Sequence, residues 1–326
     1  MNDRISGRQL RALCFCGVCV PVFRLCCRTG WVWTALGSAG AAILLTISDR
    51  TGRLCLTDRA AERTVGRLLM SVLYLALLAL AGAAGAESAG AFPETKGNLI
   101  AAWLILALAA WAAFRGPAVL GRSAGILLPV SLLLYFIVLG FSAPQIRPER
   151  LRPSGSPAEA GAVLLAMLIP AAGLLFRPER EGSERKGSLW YLLAAILATA
   201  VSAVTNGILS PAAAMQEDSF DILARSVSIM GVMQRFEALV SAAMLMSGFC
   251  LCGLFLGAAA ETGNRLFGCR GQRIFLCSLP IPALFAQPDP AKSALWSGTI
   301  AISCGLLIWV QQFVGKTRKN KKVSEN

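Results

Sequence analysis

The chain has 326 residues, of which 56% are hydrophobic and 15% are charged, with a formal net charge of +13. An average soluble domain carries about 25% charged residues, and the uncharged runs 68–86 and 97–114 approach the roughly 20 residues that cross a bilayer as helix. These runs are rich in Ala and Leu without period-two alternation, which excludes a soluble fold and a membrane β-barrel. The sequence therefore predicts an all-α polytopic membrane protein with a single transmembrane domain over residues 1–326.

Ten apolar segments follow one another between charged or turn-rich connections. We expect each to be a transmembrane helix, followed by a basic tail over 316–326. The segments lie at about 8–28, 30–48, 66–86, 97–114, 123–144, 159–176, 188–210, 235–260, 274–287 and 293–315.

The basic residues predict which side of the membrane each connection occupies. If the N-terminus is cytoplasmic, 22 of the 31 basic residues fall in cytoplasmic pieces, while the 18 acidic residues divide evenly between the two sides. This bias agrees with the positive-inside rule for an even number of spans. Both termini are therefore predicted to be cytoplasmic, with the tail near anionic lipid, and the net charge requires no nucleic-acid partner.

The first segment is short for a spanning helix. Only twelve residues separate Arg11 from Arg24, which as helix gives about 18 Å against a hydrocarbon core of about 30 Å. No small-residue cleavage site follows, so a signal peptide is not favoured. We expect instead a helix interrupted around Val20-Pro21-Val22, with Arg24 and Arg28 reaching the outer interface.

A second interruption is predicted in the sixth segment, where AMLIPAAGLLF carries Pro170 and Gly173. A division of the chain into repeats at about 8–144 and 159–315 places Pro21 and Pro170 in corresponding spans. Because each half then has five spans, the second half must be inverted relative to the first. Interrupted helices in matched positions of inverted halves are typical of transporter folds with a ligand site at the midplane.

The composition limits the chemistry. Histidine is absent, and no segment offers a nucleotide loop, a nucleophile with its base, or metal-ligand spacing, so the sequence predicts neither an enzyme nor a metal or cofactor site. The first segment is rich in cysteines, which we interpret as small apolar packing residues because they lack paired CxxC modules. These cysteines are Cys14, Cys16, Cys19, Cys26 and Cys27.

Four stretches of the chain resemble the B subunits of nutrient germinant receptors in spore-forming bacteria, the GerAB-type spore germination permeases. This family belongs to the amino acid–polyamine–organocation superfamily. The stretches are ISGRQL at 5–10, GPAVLGR at 116–122 with ILLP after it and LRP at 151–153, FRPE at 176–179, and QRFEAL at 234–239.

The resemblance implies a LeuT-like five-plus-five inverted repeat with interrupted helices 1 and 6, and A-type and C-type (lipoprotein) partner subunits in the inner spore membrane. It also implies a ligand site at the two breaks. Where the family often has glycine or Gly-x-Glu, this chain has Val20-Pro21-Val22 and Pro170-Ala171-Ala172. The predicted ligand-binding residues are Gly17, Val20, Pro21, Pro170, Ala172, Gly173 and Ser241.

Several other polar residues within or beside the spans have two readings. Arg235 and Glu237 form either an ion pair that fixes the eighth span against an outer loop or partner, or two interfacial charges that face water. The remaining polar side chains either line a cavity or bond to helix backbone. They are Tyr74, Tyr135, Thr199, Ser202, Thr205, Asn206, Ser241 and Ser247.

Three functions are consistent with these features. The first is a germinant-receptor subunit that senses a small nutrient such as an amino acid. The second is an amino acid or amine permease, because one fold hosts both functions. The third is a diverged scaffold that binds no ligand and supports assembly in the bilayer.

Overall fold

A computed structural model describes residues 5–26, 29–51, 64–89, 99–151, 155–168, 187–209, 223 and 236–285. Nearly all of these residues are helical, as the apolar runs predict. The α-helices are α1 Gly7–Cys26, α2 Trp31–Thr51, α3 Thr64–Ala89, α4 Leu99–Phe114, α5 Pro117–Ser142, α6 Pro157–Met167, α7 Gly187–Ile208, α8 Phe236–Phe267, α9 Gly271–Ser278 and α10 Pro280–Phe285. Short 3-10 helices occupy Ala143–Gln145, Pro148–Arg150 and Gly268–Arg270.

The predicted segments agree with these helices along most of the chain. Segments one to eight correspond to α1 to α8, and segment nine corresponds to the short pair α9 and α10. Five helical stretches within the described residues are long and apolar enough to cross a membrane. Residues 169–176 of the sixth segment and the whole tenth segment lie outside the described residues.

Helix α1 corrects one prediction, because it runs without interruption from Gly7 to Cys26 with Pro21 inside it. The expected break at Val20-Pro21-Val22 is therefore wrong. The helix reaches 20 residues, about 30 Å, because Arg8 and Arg11 are part of it. Proline removes one backbone hydrogen bond, and close packing of neighbouring helices in a bundle lets a spanning helix tolerate that loss. Residues 12–23 are all buried, against α5, α6, α7 and α8.

Helix α8 is a second packing centre. It contacts α1, α3, α4 and α5, and glycines allow the close approaches. A Cβ added at Gly17 of α1 would lie 3.4 Å from the Cα of Leu251, and one added at Gly248 would collide with the Ser88 side chain of α3. Small residues at such crossings let helix backbones come together in membrane bundles.

The remaining helices form two groups around α1 and α8. In the first, α2 packs against α6 and α7, and both of these contact α1. In the second, α3 packs against α4, α8 and α10. Large apolar side chains are exposed on the outer faces of α3 and α4, as expected of surfaces that face lipid tails. They include Val72 and Leu75 on α3, and Trp103, Leu104 and Leu108 on α4.

The charged residues are divided between the two ends of the bundle. A Cβ added at Gly121 would lie 2.7 Å from the Cβ of Gln9, so the starts of α1 and α5 are adjacent. The rings of Tyr74 and Phe267 lie 6.2 Å apart, which places the start of α3 beside the end of α8. The end of the bundle that holds the starts of α1, α3 and α5 and the end of α8 carries most of the described basic residues. They are Arg8, Arg11, Arg67, Arg115, Arg122, Arg265, Arg270 and Arg273.

Candidate functional site

The best candidate site lies where α1, α5 and α8 meet. Helices α1 and α5 run in the same direction, since Cys16 Sγ lies 4.0 Å from the Ala124 carbonyl oxygen while the ring of Phe23 lies 4.7 Å from that of Tyr135. Val20 and Pro21 on α1, and Ser131 on α5, fall between these two contacts. The three residues are therefore at about the same depth.

Helix α8 runs in the opposite direction and completes the site. The Tyr135 hydroxyl lies 3.0 Å from the Ser247 hydroxyl and 3.6 Å from the Met244 sulfur. Further along α8, Leu251 contacts Gly17. We call Gly17, Val20, Pro21, Ser131, Tyr135 and Ser247 the central cluster.

Proline leaves an unusual backbone group in this cluster. In an α-helix the N–H of residue i bonds to the carbonyl of residue i−4. Pro21 has no N–H, so it donates nothing to the Gly17 carbonyl. Gly17 carries no side chain over this carbonyl, and it lies near the middle of α1. The cluster thus contains a strong acceptor without its usual helical donor.

Ser131 provides an unpaired polar group. Its side chain is 2% exposed, and its hydroxyl oxygen has no hydrogen-bond partner. Ala124, Leu128, Ser131 and Tyr135 are buried with helical spacing, so they share the face of α5 that packs in the bundle. The hydroxyl of Ser142 is also buried and unpaired, about 16 Å further along the same face.

The electrostatics of the central cluster are those of a neutral site. Its residues contribute hydroxyl groups, backbone and apolar side chains, and none is ionised at neutral pH. The nearest charge along α1 is Arg24 in the last turn of the helix, where a cation interacts favourably with the helix dipole.

The structure brings some of the predicted ligand residues together. Gly17, Val20 and Pro21 share α1, and Ser241 is buried on α8 about 9 Å along the helix from Ser247. The other three, Pro170, Ala172 and Gly173, lie outside the described residues. So do Arg235 and the side chain of Glu237, although the Glu237 backbone belongs to the first turn of α8.

Sequence reasoning missed Ser131 and Ser142. The signal was present, because Ser131, Tyr135 and Ser142 recur at spacings of four and seven residues, which places them along one stripe of a helix. A single serine among apolar residues is otherwise unremarkable in a membrane span, where its hydroxyl normally bonds to the carbonyl one turn back.

A second polar region lies at the opposite end of the bundle from most of the basic residues. The Thr29 carbonyl accepts bonds from Ser202 Oγ at 3.0 Å and from Asn206 Nδ2 at 2.9 Å. The Thr34 hydroxyl lies 2.6 Å from that of Thr29 and 3.2 Å from that of Ser202. This network fixes the α1–α2 connection against α7, and each of these side chains has a protein partner. It is therefore a structural clasp.

The cysteines of the first segment are packing residues in the described structure. Cys14, Cys16, Cys19 and Cys26 are buried as thiols, and Cys27 lies outside the described residues. Within the described ranges, no group of three or more Cys, Asp or Glu side chains is arranged to hold a metal ion.

Comparison with known proteins adds no family assignment: no protein-family model matches the chain, and no curated protein matches it.

Proposed function

We propose that the chain is a multi-pass membrane subunit of a GerAB-type germinant receptor and that it senses a small nutrient at the central cluster. The observation that carries this proposal is the buried, unpaired hydroxyl of Ser131, halfway along α5 and at about the depth of Pro21. Polar groups at the bilayer centre are costly, so unpaired ones point to a functional site.

Helix packing supports the five-plus-five architecture of this proposal. If a twofold axis in the membrane plane relates the two halves, helices near the axis pack against their own symmetry mates. Such mates are five positions apart in chain order. The contacts of α1 with α6, of α2 with α7, and of α3 with α8 have this spacing.

Pairs of equivalent contacts give further support. The same axis converts a contact between α1 and α7 into one between α6 and α2, and both are observed. The axis likewise converts the contact between α3 and α4 into one between α8 and α9, and both of these contacts are observed. In this architecture α1 is a continuous helix.

The distribution of charge supports the orientation. The arginine-rich end of the bundle, with Arg8, Arg115, Arg122 and Arg270 among its residues, is the one that the positive-inside rule assigns to the cytoplasm. The N-terminus begins at this end. With an even number of spans, the C-terminal tail returns to the cytoplasmic end. The membrane that the family resemblance implies is the inner spore membrane.

The partners in this proposal are the A-type and C-type receptor subunits, in addition to lipid. The test is affinity purification of the tagged full chain from sporulating cells of its source. We expect a large A-type membrane protein and a lipoprotein to co-purify, whereas an unrelated tagged polytopic protein of similar abundance recovers neither. Recovery of the chain without either partner would contradict the receptor assignment.

A ligand-blind scaffold is the second candidate function, and one observation favours it. Helix α1 is unbroken, and the Gly17 position is packed against the backbone of Leu251. A scaffold would co-purify with the partners, yet no small molecule would change its stability.

A further inference from the structure

Two thiols meet where α1 crosses α8. The two backbones are close at this crossing, because a Cβ added at Gly17 would lie 3.4 Å from the Leu251 Cα and 3.6 Å from its backbone nitrogen. Cys16 directly precedes Gly17, and Cys250 directly precedes Leu251. Both cysteines are buried thiols, and their side chains are hydrogen-bond partners. The crossing therefore brings together two sulfur atoms from separate helices.

This arrangement suits a disulfide. A disulfide requires Cα atoms within about 7 Å of each other and side chains that point towards one another. The backbone contact between Gly17 and Leu251 brings the helices close enough for the residues beside it to approach this separation. The hydrogen bond between the thiols of Cys16 and Cys250 shows that the side chains point towards one another.

The neighbouring thiols have other hydrogen-bond partners. Cys19 Sγ lies 3.3 Å from the Phe15 carbonyl oxygen, one turn back along α1, and Cys252 Sγ lies 3.7 Å from the Ala81 carbonyl oxygen of α3. Neither bond joins α1 to α8. Cys19 also interacts electrostatically with Cys250, so it is the competing partner that a test has to separate from Cys16.

We propose that Cys16 and Cys250 form an interhelical disulfide when a lipid-soluble hydroperoxide oxidises them. One thiol attacks the O–O bond of the hydroperoxide, which gives a sulfenic acid and releases an alcohol. The second thiol attacks that sulfur, the S–S bond forms, and one water leaves. The two sulfurs together lose two electrons to the O–O bond, and both thiol hydrogens end in the alcohol and the water.

Burial determines how fast this reaction runs and what it does to the protein. The thiolate is the reactive form of cysteine, and apolar surroundings disfavour it, so we expect the bond to form over hours. Once formed, the bond fixes the crossing beside Gly17. Any change of conformation that separates α1 from α8 then requires reduction of the disulfide. This inference does not rest on the receptor assignment.

The test uses the purified full chain in lipid nanodiscs, treated with tert-butyl hydroperoxide, alkylated to block the remaining thiols and digested with trypsin. The tryptic peptides that carry the two cysteines are 12–24 and 236–265. We expect mass spectrometry to find these peptides joined in samples kept without reductant, and separate after dithiothreitol. Oxidation of the exposed thiol Cys277 in the same sample shows that the oxidant was active.

Single variants identify the two sulfurs. Cys16→Ala and Cys250→Ala should each abolish the joined peptides, and because they lie on different helices, failure of one to fold leaves the other as a test. The matched controls remove other buried thiols of the same two peptides and should leave the joined peptides in place. These controls are Cys14→Ala, Cys19→Ala and Cys252→Ala.

Three results would overturn the proposal. The first is the absence of joined peptides in the wild-type chain when Cys277 is oxidised. The second is their persistence in folded Cys16→Ala or Cys250→Ala. The third is their equal loss in Cys19→Ala or Cys252→Ala, which would assign the bond to another pair of sulfurs.

Discussion

Glu159 joins the starts of two helices. Its Oε2 accepts a hydrogen bond from the Gly30 N–H at 2.9 Å, just before α2, and its Oε1 accepts one from the Ser156 N–H at 3.0 Å, just before α6. A carboxylate at helix N-termini satisfies backbone donors that have no partner within the helix and also interacts favourably with both helix dipoles.

Replacement of this carboxylate should loosen both helix starts. Hydrogen bonds to a charged group contribute about 1.5–3 kcal/mol when well formed, and Glu159 is only partly buried, so we expect Glu159→Ala to lower the free energy of unfolding by about 1–2 kcal/mol. Thermal unfolding in detergent measures the change. Glu149→Ala, an exposed carboxylate in the same connection, is the control. Equal midpoints for the two variants would show that the double contact contributes nothing.

Gly37 should tolerate no side chain. A Cβ added there would collide with the Ala160 carbonyl oxygen of α6, which is backbone and cannot turn away, and would lie 3.0 Å from the Cβ of Val163. Overpacking of this kind costs about 1–3 kcal/mol, so Gly37→Ala should lower the unfolding midpoint. Gly125→Ala is the matched control, because nothing lies within 4 Å of its added Cβ. Since alanine is the better helix former, a neutral or raised midpoint is expected for the control. An unchanged midpoint in Gly37→Ala would mean that α2 and α6 pack less closely than described.

The orientation can be tested with reporter fusions. Reporters placed after Asn326 and within residues 216–221 should report opposite sides of the membrane, because the positive-inside rule places the tail in the cytoplasm and the loop outside. A third reporter at Gly116, in the turn between α4 and α5, should agree with the tail. Identical sides for the tail and the 216–221 loop would eliminate the inverted repeat.

The chain should not drive proton-coupled uptake. Such coupling needs an ionisable group within the bilayer whose protonation changes during the transport cycle. Histidine is absent, and the acidic residues flank the predicted spans or lie near their ends, as Glu87, Glu159 and Glu237 do. The measurement is uptake of radiolabelled amino acids into sealed liposomes under an imposed proton gradient, with a sodium gradient as a separate arm. Proton-driven accumulation of an amino acid that an uncoupler abolishes would instead favour the function of an amino acid or amine permease.

The apolar runs were sufficient to predict the described helices, because burial in a bilayer core demands both length and hydrophobicity, and few other sequences meet both conditions. The course of α1 at Pro21 was not predictable in the same way. Whether a proline breaks a helix depends on the neighbours that hold the chain on either side of it. Here those neighbours include Leu251 of α8, which lies more than two hundred residues away in sequence.

The site residues were only partly accessible to sequence reasoning. Gly17, Val20 and Pro21 were predicted because a proline in a span is conspicuous, and their role in ligand binding stays a prediction. Ser131 was not found, because its significance lies in a missing hydrogen bond, and that is a property of packing between helices. The predicted residues of the sixth span remain predictions.

The dependence of α1 and α5 on α8 has a consequence for biosynthesis. Tyr135 and its partner Ser247 are separated by 112 residues, and Gly17 meets Leu251 across an even longer stretch of chain. Membrane helices insert as they are synthesised and pack afterwards. Helices α1, α3, α4 and α5 therefore enter the bilayer with their contact surfaces for α8 uncovered, and α6 and α7 are synthesised before α8 covers them. Any nascent chain that stops before residue 236 exposes those surfaces to lipid, so quality control has a long interval in which to recognise it.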